Sequence, residues 1–188
     1  MKPLVYADYC LRTEPGAGLS EMALSASVLM RSLHAAFTQI PDRFALGFPY
    51  LDDRLPQRKL SVFRVFAESQ SDLNELYSII KNGPGDALNR LFDVRYPETV
   101  PVGFAGPWKA FKRARIHSRQ MADSRAKTMR QLDEEGTAWL NMGSSSQSHR
   151  FRMYIKSMPG PVESPETGGA TNSYGLSIAD QPVYLPQL

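Results

Sequence analysis

The order in which hydrophobic periods succeed one another in the first half of the chain limits its fold more than any other feature. Residues 4–11 form an apolar run of strand length, and Pro15, Gly16 and Gly18 break it before a helix begins. Over residues 21–39 the period becomes helical. At about 100° per residue Met22, Ala26, Leu29, Met30, Leu33, Phe37 and Ile40 share one face, and Pro41 stops the element. Residues 44–48 read as a second strand, ended by Pro49, and residues 60–67 as a third, with Val62, Phe63, Val65 and Phe66 as its apolar content. Ser69-Gln70-Ser71-Asp72 has capping-box spacing, Leu73, Leu76 and Ile80 then recur at helical intervals, and Asn82-Gly83-Pro84 closes the second helix. A strand-like segment follows at residues 91–96. The succession β-α-β-β-α-β is the split βαβ, or ferredoxin-like, arrangement, assigned to a first domain of residues 1–98. That arrangement hosts many unrelated activities and does not by itself select one.

Residues 97–107 shift to Pro, Gly and Val, which marks a boundary, and a differently built second domain is expected over residues 99–188. A basic, irregular segment should lead into a helix over residues 118–131, resuming toward Trp139. On that helix Arg119, Lys127 and Arg130 fall within one arc, Met121, Met129 and Leu132 lie opposite, and Arg125 lands on the apolar side. The serine-rich run Gly143-Ser144-Ser145-Ser146-Gln147-Ser148 precedes an alternating strand. Its alternation puts Phe151, Met153 and Ile155 on one face and Arg150, Arg152, Tyr154 and Lys156 on the other. Residues 159–169 read as a loop. The fold class expected overall is α+β.

Charge placement then narrows the function. Between residues 105 and 131 stand eight lysines and arginines against the single Asp123, net +7, so the remaining residues carry −4 of the chain's total of +3. A concentrated basic block on an acidic body is what a phosphate-backbone binder requires, although a solvated helix face would show the same charges. With 42% hydrophobic residues among 188, the chain can bury a real core, and the signature of disorder is absent. Cys10 is the only cysteine, so no internal disulfide is available, and three scattered histidines offer no zinc-type spacing. No apolar stretch approaches membrane-spanning length, and Met1-Lys2-Pro3 leads into a strand, not a signal peptide, so a cytoplasmic protein is expected.

If the ligand is RNA, the simplest metal-free reaction is attack of a ribose 2′-hydroxyl on its own neighbouring phosphate. It needs a base for the hydroxyl proton, a group that aligns the ribose, and donors for developing charge. Histidine suits the first role because it titrates near neutrality. His34 sits at the edge of the first helix's apolar face, beside Met30 and Ala23, where a ring is both anchored and reachable. His117 lies within the basic block and could contact phosphate, and His149 precedes the alternating strand. Each of the three also fits a purely structural histidine.

The run Ser144 to Ser148, then Arg150-Phe151-Arg152-Met153-Tyr154-Ile155, Gly168-Gly169 and Tyr174-Gly175-Leu176-Ser177, resembles the type I-F CRISPR precursor-RNA endoribonucleases. Ser27-Val28-Leu29-Met30-Arg31-Ser32-Leu33-His34 is similar to that family's first helix, and Arg113-Ala114-Arg115 with the basic helix to its hairpin-binding element. The resemblance runs in order along nearly the whole chain.

It implies that His34 is the general base, that Tyr174 supports it, and that Ser144, or Ser146 in another register, positions the ribose. No cofactor or metal is implied. Arg113 would read a guanine base edge, whereas Arg115 stands where glutamine is usual, which leaves the second recognised base open. Arg119, Arg125, Lys127 and Arg130 would line the hairpin's phosphates. Phe151 matches an aromatic residue that stacks on the base pair closing the stem, although its place in the strand suits core packing equally. The implied partners are the CRISPR repeat hairpin, the mature crRNA and other subunits of a type I-F effector complex. A non-catalytic hairpin-binding scaffold is the competing class, and a basic DNA-binding regulator is disfavoured by the lack of a helix-turn-helix or zinc-finger signal.

Overall fold

The computed structural model describes residues 2–12, 18–82, 91–114, 116, 122–143, 150–162, 165, 169–178 and 180–188. Its first sheet is built around strand β1, Val5–Leu11, which pairs antiparallel with β3, Val62–Ala67. Strand β2, Ala45–Gly47, pairs with the far edge of β3, while β4, Phe92–Val94, and β5, Glu98–Thr99, pair with the other edge of β1. The order β2-β3-β1-β4 therefore runs β1 and β2 parallel with β3 between them. Helices α1, Leu19–Gln39, and α2, Gln70–Asn82, complete the β-α-β-β-α pattern expected of the first half. The strands are shorter than the apolar runs that announce them. β5 lies inside the Pro- and Gly-rich stretch read as a boundary.

The helices form where their apolar faces find cover. Ala26, Leu29, Met30, Leu33 and Phe37 of α1 are buried, and so are Leu73, Leu76 and Ile80 of α2. Ser69 caps α2: its Oγ accepts from the Asp72 N–H at 3.2 Å and donates to Asp72 Oδ2 at 2.6 Å. Across β1 and β3, Asp8 and Arg64 stand opposite each other and form a buried bidentate pair at 2.7 and 2.8 Å, with the guanidinium over the Tyr6 ring. The Tyr6 hydroxyl donates to Glu98 on β5, and burial together with that bond pushes its pKa to about 12.

The second sheet has the order β7-β8-β6-β9, with β6 at Trp108–Ala114, β7 at Trp139–Gly143, β8 at Arg150–Pro159 and β9 at Leu185–Pro186. Two expectations are corrected here. The basic segment expected to be irregular is strand β6, whose Trp108, Ala110 and Phe111 are buried while Lys109 pairs with Asp52 and so keeps its charge at the surface. The continuation toward Trp139 is a strand, because helix α3, Ala122–Glu134, is closed by Gly136 at φ +63°. The Gly136 N–H donates to Asp133 O and the Thr137 N–H to Leu132 O, at 3.0 and 2.9 Å, which is a Schellman cap. Residues 118–121 of the expected helix lie outside the described residues.

Apolar side chains of both sheets merge into one core. Phe111, Leu140, Met142, Met153, Ile155 and Leu185 join the α1, β2 and β3 cluster. β7 is an edge strand, and α1 covers it. The outward N–H of Asn141 finds the hydroxyl of Ser27, a wholly buried residue of α1, at 2.9 Å.

Candidate functional site

The site begins with a turn in the C-terminal segment. Asn172 Oδ1 accepts from the N–H groups of Tyr174 and Leu176 at 2.9 and 3.3 Å, and the Gly175 N–H donates to Asn172 O at 2.8 Å. Gly175 takes φ +71°, which glycine adopts freely and other residues resist. The turn is fastened on two sides: Gly175 O accepts from the Leu46 N–H of β2 at 2.7 Å, and the Ser177 N–H donates to Phe111 O of β6 at 2.8 Å. Leu176 is fully buried between these anchors.

This turn brings Ser173 and Tyr174 to the half-buried His34 of α1. The Ser173 carbonyl oxygen lies 2.7 Å from His34 Nδ1, and the Tyr174 ring stacks on the imidazole with centroids 4.1 Å apart and planes inclined by 15°. A carbonyl oxygen can only accept, so Nδ1 carries the proton of the neutral ring. The lone pair is then on Nε2, which has no hydrogen-bond partner among the described residues. An imidazole held in one tautomer and one plane, with its basic nitrogen unengaged, can take a proton from a bound hydroxyl.

The remaining site candidates are gathered by strand direction. β6 ends, β7 ends and β8 begins at the same edge of the second sheet, because β8 is antiparallel to both neighbours. α1 and β7 advance in the same direction: Ala23 and Trp139 line one cleft, and Ser27 meets Asn141 further along, on the way to His34. Gly143, the last described residue before the serine run, pairs with Arg150. Ser144 and Ser146 lie outside the described residues, as do His117 and His149.

At that edge Arg113 and Phe151 meet. The guanidinium carbon stands 4.9 Å from the ring centroid, and Phe151 also packs against the core, so one part of the ring is structural and another carries a cation. Arg115 and Arg119 lie outside the described residues. On α3, Arg125, Lys127 and Arg130 are all exposed, and none has a carboxylate partner among the described residues. Arg125 therefore does not face the core as the wheel suggests. Leu132 is the one buried side chain among the described residues of α3, and Thr128 and Met129 are half-buried, so the apolar arc reaches the protein only over the C-terminal half of the helix. By contrast Arg12, Arg43, Arg58, Arg64, Lys109, Arg152 and Lys156 each face a carboxylate. The three cations of α3 are thus among those open to an external anion, as are Lys112 and Arg113 of β6.

Tyr154, expected on the polar face of β8, is fully buried, because the end of α3 covers it. Its hydroxyl donates to Asp133 Oδ1 at 2.9 Å, and burial raises its pKa above the ordinary phenol value. Sequence reasoning also missed the Ser173 carbonyl, for which the pattern Asn172-Ser173-Tyr174-Gly175 was the available signal: Asn opens an Asx turn and Gly closes it.

Among the described residues no group of three or more His, Cys, Asp or Glu side chains is placed to hold a metal ion, and no helix is long and apolar enough to cross a membrane. Compared with known proteins, the chain matches no family model, and no curated protein sequence matches it significantly.

Proposed function

We propose that this chain is a metal-independent endoribonuclease of the type I-F CRISPR kind, which binds the repeat hairpin of precursor RNA, cuts once on its 3′ side and keeps the product. In this reading residues 1–98 are a ferredoxin-like domain that carries the base, and residues 99–188 grip the hairpin. The observation that carries it is the pairing of His34 with the Ser173 carbonyl under the Tyr174 ring. That pairing leaves Nε2 as the proton acceptor, in the same molecule as a helix whose Arg125, Lys127 and Arg130 are exposed and form no ion pair among the described residues.

Beyond solvent, the reaction needs no group the chain does not supply. Nε2 of His34 takes the 2′-hydroxyl proton, the 2′-oxygen bonds to phosphorus, and the bond to the 5′-oxygen of the next nucleotide breaks. That oxygen takes a proton from solvent as it leaves, giving a 5′-hydroxyl, the phosphate remains as a 2′,3′-cycle, and Nε2 returns its proton to solvent. Tyr174 fixes the ring plane; Ser144 or Ser146 aligns the ribose. Arg113 reads a base edge and Arg115 contacts the RNA, Phe151 closes the foot of the stem, and Arg119, Arg125, Lys127 and Arg130 follow its phosphates. Contacts made to a stem that the cut does not alter hold substrate and product alike, so turnover is slow and the crRNA stays bound for a cytoplasmic effector complex.

The test is a repeat RNA with and without a single 2′-deoxy substitution at the nucleotide 5′ of the cut. The unmodified RNA should yield one cut with cyclic-phosphate and 5′-hydroxyl ends, and the deoxy RNA should bind equally and stay intact. Tight binding without cleavage of the unmodified RNA would replace the nuclease by a hairpin-binding scaffold; absence of binding would remove both.

A further inference from the structure

The outward face of β8 has no part in the reaction proposed above, yet three of its alternate positions reach the end of α3. Arg152 Nη1 donates to Asp133 Oδ2 at 3.0 Å, the Tyr154 hydroxyl donates to Asp133 Oδ1 at 2.9 Å, and Lys156 Nζ donates to Glu135 Oε2 at 2.9 Å. Residues two apart on a strand share a face, so one strip of β8 makes all three bonds. Arg152 is held on its other side by the Trp139 ring, 4.3 Å from the guanidinium carbon. Glu135 is further fixed by the Gln131 side chain at 2.8 Å, and Gly136 O by Lys59 at 2.6 Å.

We propose that this strip is a clamp that sets the direction in which α3 leaves the protein, with Asp133 and Tyr154 as its positioning residues. The need for one follows from burial. Leu132 is the one buried side chain of the described helix, with Thr128 and Met129 half-buried beside it, so apolar packing holds α3 only along its C-terminal half and leaves its direction weakly set. Two bonds to opposite oxygens of one carboxylate, from residues on a rigid strand, do fix it. The Schellman cap at Gly136 hands the chain to β7 within a few residues, so the clamp acts at the pivot. Resting on the proposed function, the clamp holds Arg125, Lys127 and Arg130 in a pose that matches the stem before RNA arrives, which lowers the ordering cost of binding. Arg152 and Lys156 are then internal cations and not phosphate ligands.

Two variants test the clamp. Tyr154→Phe keeps the buried ring and removes only its hydroxyl; Asp133→Asn keeps the size and removes the charge. In RNA-free protein both should speed trypsin cleavage after Arg125, Lys127 and Arg130 several-fold. Both should also weaken repeat-hairpin binding by about three- to tenfold, the range spanned by losing one or two hydrogen bonds. The slope of log Kd against log salt should stay at the wild-type value, since the phosphate contacts remain. Unchanged trypsin rates in both variants would overturn the clamp whatever the RNA does. A flattened salt slope would overturn it as well, by making these residues RNA contacts. Wild-type protein that fails to bind the hairpin would count against the proposed function, while the trypsin arm still decides the clamp.

Discussion

Replacing Gly175 with alanine should be costly for two separable reasons. At φ +71° an L-residue pays roughly 1–2 kcal/mol against the left-handed region. The added methyl would stand 2.7 Å from Phe37 Cε2, 3.2 Å from Leu46 Cβ and 3.3 Å from Leu46 N. Backbone and core side chains must shift to admit it, an overpacking cost of about 1–3 kcal/mol. The sum, roughly 2–5 kcal/mol, is a large part of the stability of an ordinary domain. Gly103 is the internal control: its φ is +73°, and nothing lies within 4 Å of an added Cβ. Gly103→Ala should therefore cost only the conformational part, about 1–2 kcal/mol. Equilibrium urea unfolding of both variants measures the difference. Cleavage by Gly175→Ala should fall as well, under conditions where it is folded, because the turn delivers Ser173 and Tyr174 to His34. Equal losses of stability in the two variants would refute the packing argument.

Arg130→Glu should weaken hairpin binding and flatten its salt dependence, because each phosphate contact contributes about 0.9 to the slope of log affinity against log salt; an unchanged slope would remove Arg130 from the phosphate track. Treatment with EDTA should leave the single-turnover cleavage rate intact, since the proton acceptor is an imidazole; a rate restored only by added divalent cation would contradict that chemistry.

What the amino-acid pattern disclosed depended on whether an element is covered from one side. The apolar face of α1 is legible because the helix buries one stripe, and His34 at its border stood out for the same reason. β6 was obscured by Lys109, Lys112 and Arg113, whose charges mask a strand with Trp108, Ala110 and Phe111 inside. β7 was missed although Gly136 carries the stop signal of a helix, since the residues on either side of it prolong a plausible helical period. Tyr154 misled by alternation: its face of β8 is polar, but a distant segment packs over it. The partner of His34 was least accessible. A main-chain oxygen belongs to every residue, and only the turn made by Asn172 and Gly175 singles out the one at Ser173.

The most direct measurement compares single-turnover cleavage and equilibrium affinity of the repeat hairpin for the wild type and His34→Ala. Loss of cleavage with affinity kept within about threefold, less than one hydrogen bond's worth of binding, is the expected result. Undiminished cleavage, or loss of binding together with cleavage, would contradict a base at His34.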